Sequence, residues 1–476
     1  MPDPNDAPQL EPAIIVIFGI TGDLAQRFLL PALYHLIKED LLHDKTEIIG
    51  TSRREISVEE MLSGTKLCTS EPNGVCDPAA LQKMRDHFRM VRLDPTNDAD
   101  YGALLQTMNG LEDTEGVCMN RLYYLSIPPQ VYGPVIRHMG AEGLNGSCQH
   151  GNASSRLLIE KPFGYDTASA RELIETMSRG FSEEQVFRID HYLAKETVQN
   201  ILTFRFQNPI FEALWNREHI ERIEVSASEA IGIEGRAQFY EPLGALRDFI
   251  QSHLLQLLAI VTMDRPEAMG SRHIHASKQA LLEQIRAVPA TEIEEHAVRG
   301  QYEGYRAEVN NPGSATETFG GLRLFIDSPR WEGVPLVLWT GKKLAEKRTE
   351  VAVRFKSRSG EATNYLRMRI QPNEGIELDL LVKKPGFATE LQPTAMDFSY
   401  QQNFGGHSHP DAYERVLVDA VRGDRTLFAT GEEVMQAWRI VQPVLDAWSR
   451  PGNQLPEYPG GTAGATLIEP IENLLK

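Results

Sequence analysis

A chain of 476 residues exceeds one typical hydrophobic core, so two domains are expected. With 66 acidic against 48 basic residues, its formal charge of −18 excludes nucleic acid and anionic membrane as natural partners, and any anionic small ligand needs a local basic pocket. The four cysteines (Cys68, Cys76, Cys118, Cys148) lack a C-x-x-C motif and the density of a disulfide scaffold, which predicts reduced thiols in a reducing compartment.

In chain order, residues 1–12, "MPDPNDAPQLEP", read as an acidic, proline-rich tail unlike a signal peptide. No apolar run approaches a membrane span, and a cytoplasmic protein is expected. Ala13 to Phe18 is near-continuously apolar, as in a strand buried on both faces. A glycine turn follows, then Leu29, Leu33, Leu36 and Ile37 at helical spacing. "EIIGTSRRE", "RLYYLSIPP" and "SRLLIEKPFG" are further strand-then-turn units with helical patterns between them. Strands alternating with helices predict an α/β, Rossmann-like doubly wound parallel sheet over 13–187.

From 188 to 476 the pattern becomes α+β. "LRLFIDSPRWEGVPLVLWTGKKL" reads as two strands around a turn, and "VAVRFKS", "YLRMRI" and "IELDLLVKK" alternate with period two. These predict a large, mostly antiparallel sheet. "DAYERVLVDAVRGD" and "EEVMQAWRIVQPVLDAWSR" are amphipathic helices, and "PEYPGGTAG" reads as loop.

Five segments carry chemistry. Gly19-x-x-Gly22-x-x-Ala25, between a buried strand and a helix, lets backbone N–H groups approach a pyrophosphate at the helix N-terminus. Asp23 within it is awkward, since an acid repels phosphate, and a role in capping backbone amides is expected. After the second strand stand Thr51, Ser52, Arg53 and Arg54 rather than an acid, which suits a 2′-phosphate and predicts NADP over NAD; a solvated basic loop is the plain alternative. "RIDHYLAKE" gathers His191, Tyr192 and Lys195. If it is helical, His191 and Lys195 share one face, as a donor-rich anion site or as a surface ion-pair face. In "GALRDFIQSHLLQLL", His253 falls within an apolar stripe, as either a satisfied core histidine or a buried base. Asp248 would lie about 140° round the helix from it at 3.6 residues per turn. "EKPFG" places Lys161 at a strand's carboxyl end, where ligands of such sheets bind. The pairs His273-x-His275 and His407-x-His409 lack carboxylate or cysteine partners at informative spacing, so no metal is expected. No P-loop or G-x-S-x-G motif occurs.

"FGITGDLA", "LSIPP", "EKPFG", "RIDHYLAKE", "EGRAQFYEPLGALRDFIQSHLLQLL", "PRWEGVPLVLWTGKKLAEK" and "DAYERVLVDAVRGD" occur in that order. In this the chain resembles the glucose-6-phosphate dehydrogenase family over nearly its whole length. The resemblance implies oxidation of glucose 6-phosphate at C1, with hydride passing to NADP, as an entry step to pentose phosphate or Entner–Doudoroff metabolism. It implies His253 as general base, oriented by Asp190. His191, Tyr192 and Lys195 would hold the 6-phosphate, and Lys161 would contact sugar and cofactor. Glu229 and Asp248 would bind sugar hydroxyls, with Lys342 and Lys347 also on the substrate side. Gly19, Thr21, Gly22, Asp23 and Leu24 would form the cofactor turn, Arg53 and Arg54 would face the 2′-phosphate, and Tyr132 would flank the cofactor. A homodimer or homotetramer through the large sheet is implied, and NAD stays open as a second acceptor.

The family pattern is broken at four places: Ala194 replaces a glycine, Ser252 an asparagine and Phe28 a lysine, and Trp339 and its neighbours lack the basic pattern of a second, structural NADP site. Two alternatives therefore stay open, a paralogue acting on another hexose phosphate and a non-catalytic NADP-binding regulator.

Overall fold

The computed structural model describes residues 10–472 apart from 64–66, 69–70, 72–73, 147, 149–150, 152, 358–362, 406–409 and 451–454. Most of the expected tail and the pair His407 and His409 lie outside the described residues. The chain divides into two units.

The first unit holds β1 (Ala13–Phe18), β2 (Glu47–Ser52), β3 (Phe88–Arg92), β4 (Asn120–Leu125), β5 (Ser155–Ile159) and β6 (Val186–Ile189). They lie in the order 3-2-1-4-5-6, all parallel, with the strand order reversing beside β1 as in a doubly wound nucleotide-binding sheet. Every residue of β1, β2 and β4 is buried, which is why those strands read as apolar runs rather than alternating ones. Ile15 and Ile17 share one core with Leu30, Leu33 and Leu36 of the following helix and with Val416, Leu417, Ala420 and Val421.

That last set comes from far down the chain. The first unit comprises Met1–Gly164, Ala168–Ala194 and Pro410–Gly431, whereas one boundary at 187 was expected. A two-residue strand, Phe428–Ala429, pairs antiparallel with β6 and closes that edge of the sheet. Buried Arg188 on β6 is held by Glu183 at 2.7 and 3.0 Å, and Glu183 also accepts the Gly431 N–H at 2.9 Å. Short pairings of this kind leave no periodicity for a sequence reading to find.

The second unit is built on β7 (Ile220–Ser228), β8 (Ala297–Tyr302), β9 (Phe319–Leu324), β10 (Leu336–Gly341), β11 (Arg348–Phe355), β12 (Tyr365–Gln371), β13 (Gly375–Lys383) and β14 (Leu391–Ser399). They form one sheet in the order 14-13-12-11-7-10-9-8, antiparallel except where β7 meets β10. In β12 burial alternates along the strand, the period-two pattern of a sheet with one packed face. β14 escaped the sequence reading because an edge strand tolerates Pro393 and a polar, exposed composition. "PEYPGGTAG" is not wholly loop: Glu457–Tyr458 pairs parallel with β8, and a helix begins at Gly464.

The expectation of free thiols is overturned. Cys68 bonds to Cys76 and Cys118 to Cys148, with Cα separations of 5.2 and 5.7 Å that lie within disulfide range. Chain spacings of 8 and 30 residues could not announce pairs that the first unit's loops bring together.

Candidate active site

The first unit presents its ligand-facing chemistry at the carboxyl ends of the strands. After β1 the chain turns at Gly19, whose φ of +76° suits only glycine; a Cβ there would stand 2.5 Å from the Ser126 carbonyl oxygen. Gly22 N–H donates to Gly19 O at 2.9 Å and Gln26 N–H to Gly22 O at 3.1 Å, so the turn runs directly into a helix. That helix opens with a widened i→i+5 segment, Ala25–Leu29, before settling into Leu30–Lys38. Thr21 and Asp23 are exposed at its mouth and Leu24 is half-buried. Asp23 does not cap the helix as expected: it accepts from Arg27 Nη1 at 3.2 Å, one turn on, so its charge is spent on a neighbour.

At the end of β2, Thr51 and Ser52 are buried and Arg53 and Arg54 exposed. The register pairs Ser52 with Arg92 at the end of β3, adding a third exposed guanidinium that the motif reading missed. Asp94 records this: its carboxyl sits below the usual range through the amide and hydroxyl of Thr96, and further through Arg53 and Arg92. A glycine turn at a helix start beside three arginines and two hydroxyls fits a dinucleotide bearing a 2′-phosphate. Tyr132 is a buried ring, 1% exposed, whose hydroxyl donates to Leu125 O at 3.4 Å; it props the end of β4 from within.

Lys161 follows β5 and is joined to Pro162 by a cis peptide bond. Its neighbour Glu160, which the sequence reading passed over, accepts from the Tyr124 hydroxyl at 2.5 Å. Burial pushes the Glu160 carboxyl up to about 7; Tyr124 and Lys161 pull it down, and Asp190 adds to the rise. A folded-state pKa above the unfolded value means that the stabilising contribution is full below about 4.5 and is lost as pH rises through about 7. Glu160→Gln is therefore expected to flatten the fall of stability across that window, as read by denaturant midpoints at a series of pH values. An unchanged pH slope would refute the assignment.

"RIDHYLAKE" does not form a helix at its start. Residues 191–194 are a turn in which the Asp190 carboxylate accepts the Tyr192 N–H at 2.9 Å and the Asp190 carbonyl accepts the Leu193 N–H at 3.0 Å. A short acid that folds back on its own backbone beats helix propensity here. The His191 and Tyr192 rings lie 5.0 Å apart, and Ala194 is buried in the first unit's core. Lys195 belongs to the second unit, where it stands at the N-cap position of the helix Glu196–Gln207 without a side-chain cap and donates to Gln371 Oε1 at 2.7 Å.

In the second unit His253 lies on a helix whose stretch Leu246–Leu254 is again widened to i→i+5 bonding. This corrects the helical-wheel expectation. Residues five apart stack on neighbouring wide turns, so Asp248 and His253 fall on one side of the helix rather than about 140° apart. His253 is fully buried, with the Phe249 ring edge-on at 5.3 Å, and Ser252 Oγ donates to Asp248 O at 2.9 Å. Glu317 secures the start of the helix by accepting the Leu246 N–H at 3.0 Å. Its carboxylate occupies the space a Cβ on Gly244 would need. At the end of β7, Glu229 pairs with Lys342, which is buried just after β10; Lys347 is exposed, with no ion pair among the described residues.

The departures from the family pattern also have places. Phe28 is 40% exposed and stacks on Tyr413 at 5.1 Å, with the Arg27 guanidinium 5.4 Å from its ring centre. Trp339 donates to Glu224 at 2.8 Å, and its ring fills the space beside Gly464. His275 is bound to buried Glu433 at 2.8 Å, and His273 lies 3.7 Å from Glu267. Among the described residues no three His, Cys, Asp or Glu converge as a metal site, and no helix is long and apolar enough to cross a membrane.

A dinucleotide-type α/β unit with a 2′-phosphate corner, followed by a second unit carrying a buried histidine and acid on a widened helix, defines a nicotinamide-nucleotide oxidoreductase. The family model for the glucose-6-phosphate dehydrogenase NAD binding domain matches residues 16–200, and that for its C-terminal domain matches 202–472. The chain belongs to the glucose-6-phosphate dehydrogenase family. It is 38% identical to the glucose-6-phosphate 1-dehydrogenase of Chlamydia muridarum, covering 96% of this chain and 94% of that one. It is 36% identical to that of Bacillus subtilis, with 95% of each covered. A solved glucose-6-phosphate dehydrogenase in complex with its substrate glucose-6-phosphate superposes with a TM-score of 0.90 at 32% identity, over 98% of both chains. The enzyme from Mycobacterium avium gives 0.82 at 31%, over 96% of this chain and 97% of that one.

Proposed function

We propose that this protein oxidises D-glucose 6-phosphate at C1 to 6-phospho-D-glucono-1,5-lactone, with NADP+ as hydride acceptor. The observation that carries the reading is the end-to-end similarity to an enzyme solved with that sugar phosphate. Growth of absorbance at 340 nm on mixing protein, glucose 6-phosphate and NADP+ tests it.

Oxidising an alcohol removes a proton from oxygen and a hydride from carbon, so the protein must supply a base and hold C1 still. The nicotinamide, when bound, accepts the hydride. His253 takes the C1 hydroxyl proton, and Asp190 orients the imidazole and stabilises its charged form. His191, Tyr192 and Lys195 hold the 6-phosphate, so that affinity for the anionic tail aligns the reacting end. Glu229 and Asp248 accept from ring hydroxyls, Lys342 and Lys347 donate on the same side, and Lys161 serves sugar and cofactor. Gly19, Thr21, Gly22, Asp23 and Leu24 shape the pyrophosphate turn, with Tyr132 supporting the strand end behind it.

Arg53 and Arg54 recognise the 2′-phosphate, and Arg92 shares that corner. A charge-assisted hydrogen bond is worth about 1.5–3 kcal/mol. Arg53→Ala is accordingly expected to lower kcat/KM for NADP by about ten- to a hundredfold and for NAD by much less. Equal losses with both nucleotides would remove Arg53 from the 2′-phosphate site.

We place the protein in the cytoplasm, as a homodimer or homotetramer through the large sheet. The outer strands support the latter: β14 is exposed along most of its length, with Leu391 and Met396 among the exposed apolar residues.

A further inference from the structure

Buried tyrosines in this protein find partners for their hydroxyls. In the second unit Tyr302 donates to Glu308 at 2.7 Å, Tyr305 to Glu241 at 2.6 Å and Tyr458 to the Lys342 carbonyl at 2.7 Å. Tyr240 is the exception among them. It ends the short helix Ala237–Tyr240 and is only 3% exposed, yet its hydroxyl makes no hydrogen bond among the described residues. Nor is that oxygen one of the sealed polar atoms left without a partner, so it opens on accessible space. A buried phenol with an unfilled hydrogen-bonding site needs a reason.

Its surroundings supply one. The Lys342 ammonium lies 5.0 Å from the centre of the Tyr240 ring, a cation–π contact, and the same ammonium pairs with Glu229. The phenol's pKa is driven well up, first by burial and then by Asp248, Glu317, Tyr458 and Glu229, which keeps the hydroxyl protonated and able to donate. Glu317 is bound to the Leu246 amide and Tyr458 to the Lys342 carbonyl; the Glu229–Lys342 pair faces the Tyr240 ring, and Asp248 acts on the phenol electrostatically. A phenol, two carboxylates and an ammonium at one spot form a mixed donor and acceptor set suited to a polyol.

We propose that the Tyr240 hydroxyl is a substrate-contacting, specificity-determining group that hydrogen-bonds one ring hydroxyl of the hexose phosphate alongside Glu229, Asp248 and Lys342. This rests on the reading of the protein as a hexose-phosphate dehydrogenase. It assigns to a residue that the motif comparison left without a role a share in telling one sugar hydroxyl from its absence.

Tyr240→Phe removes that oxygen and no internal hydrogen bond, so its melting temperature should match that of the unaltered protein. With glucose 6-phosphate, kcat/KM is expected to fall about tenfold, mainly through KM. Across the 2-, 3- and 4-deoxy analogues of glucose 6-phosphate, one should show equal kcat/KM with both proteins, because the contacted hydroxyl is already missing. The inference is overturned if Tyr240→Phe keeps its kcat/KM within twofold on glucose 6-phosphate. It is equally overturned if the loss is the same on every analogue, since a merely structural change would act that way. Inactivity of the unaltered protein on the whole panel would instead sink the parent reading, a result separable from either of these.

Discussion

Replacing His253 by asparagine is expected to lower turnover by about 10²- to 10⁴-fold while leaving equilibrium binding of glucose 6-phosphate within a few-fold. The substitution keeps a polar side chain on the same turn but removes the nitrogen that can take up the C1 hydroxyl proton. His253 is fully buried on a widened helix whose first turn is fixed by Glu317, so its backbone has little freedom to rearrange. Substrate affinity, by contrast, is assigned to other side chains: Lys195, His191 and Tyr192 for the phosphate, and Glu229 and Lys342 for the ring. Initial rates at 340 nm together with calorimetric titration of the sugar phosphate separate the two quantities. Normal turnover in this variant would remove His253 from the mechanism, and lost binding with proportionate turnover would recast it as a binding residue.

The second large effect is on stability. Lys278 and Glu433 are both 0% exposed, joined at 2.9 Å, and His275 lies 2.8 Å from Glu433 on its other oxygen. Burial alone would raise the Glu433 carboxyl, but the Lys278 ammonium and the His275 hydrogen bond and charge outweigh it and bring the pKa down to about 2. Since that folded-state value lies below the unfolded one, the pairing stabilises at every pH above about 4.5 and is lost as pH falls toward 2. Lys278→Met leaves a carboxylate buried without its ammonium partner and is expected to cost about 3–5 kcal/mol at neutral pH. The carboxyl would then resist ionisation, so the variant's deficit should shrink as pH drops. Adding Glu433→Leu should recover much of the loss, because it is the stranded charge that destabilises. Urea midpoints for the three proteins decide it; a loss under 1 kcal/mol for Lys278→Met would show that the charge is not confined.

Both effects show what was legible in the sequence and what was not. The strand–turn–helix of residues 13–38 stood out because burial on both faces makes a strand a solid apolar run, and a positive φ demands glycine. The antiparallel strands β11 to β13 could be found from alternation alone. Four things resisted. The widened helices put Asp248 beside His253, and a wheel drawn at 3.6 residues per turn separates them by construction. The Asp190 turn stands where the one-face reading of His191 and Lys195 needed a helix, because a side chain competed for backbone amides. Arg92 and Glu317 belong to no quoted motif, and Glu160 and Tyr240 lie within motifs that gave them no role; each matters through what the sheet register or a remote loop sets beside it. The Lys278–Glu433 pair spans 155 residues of chain and offered no local sign.

The late strand Phe428–Ala429 sets a timetable for biogenesis. β6 is complete once residue 189 has been made, but the segment that covers its open side arrives some 240 residues later. At about 5–20 residues per second, a ribosome leaves that edge bare for tens of seconds. A nascent chain, or a fragment cut at the end of the nucleotide-binding family match near residue 200, thus carries a strand ready to pair with a stranger. Such a fragment should clump during expression, and appending residues 410–431 to it should restore solubility.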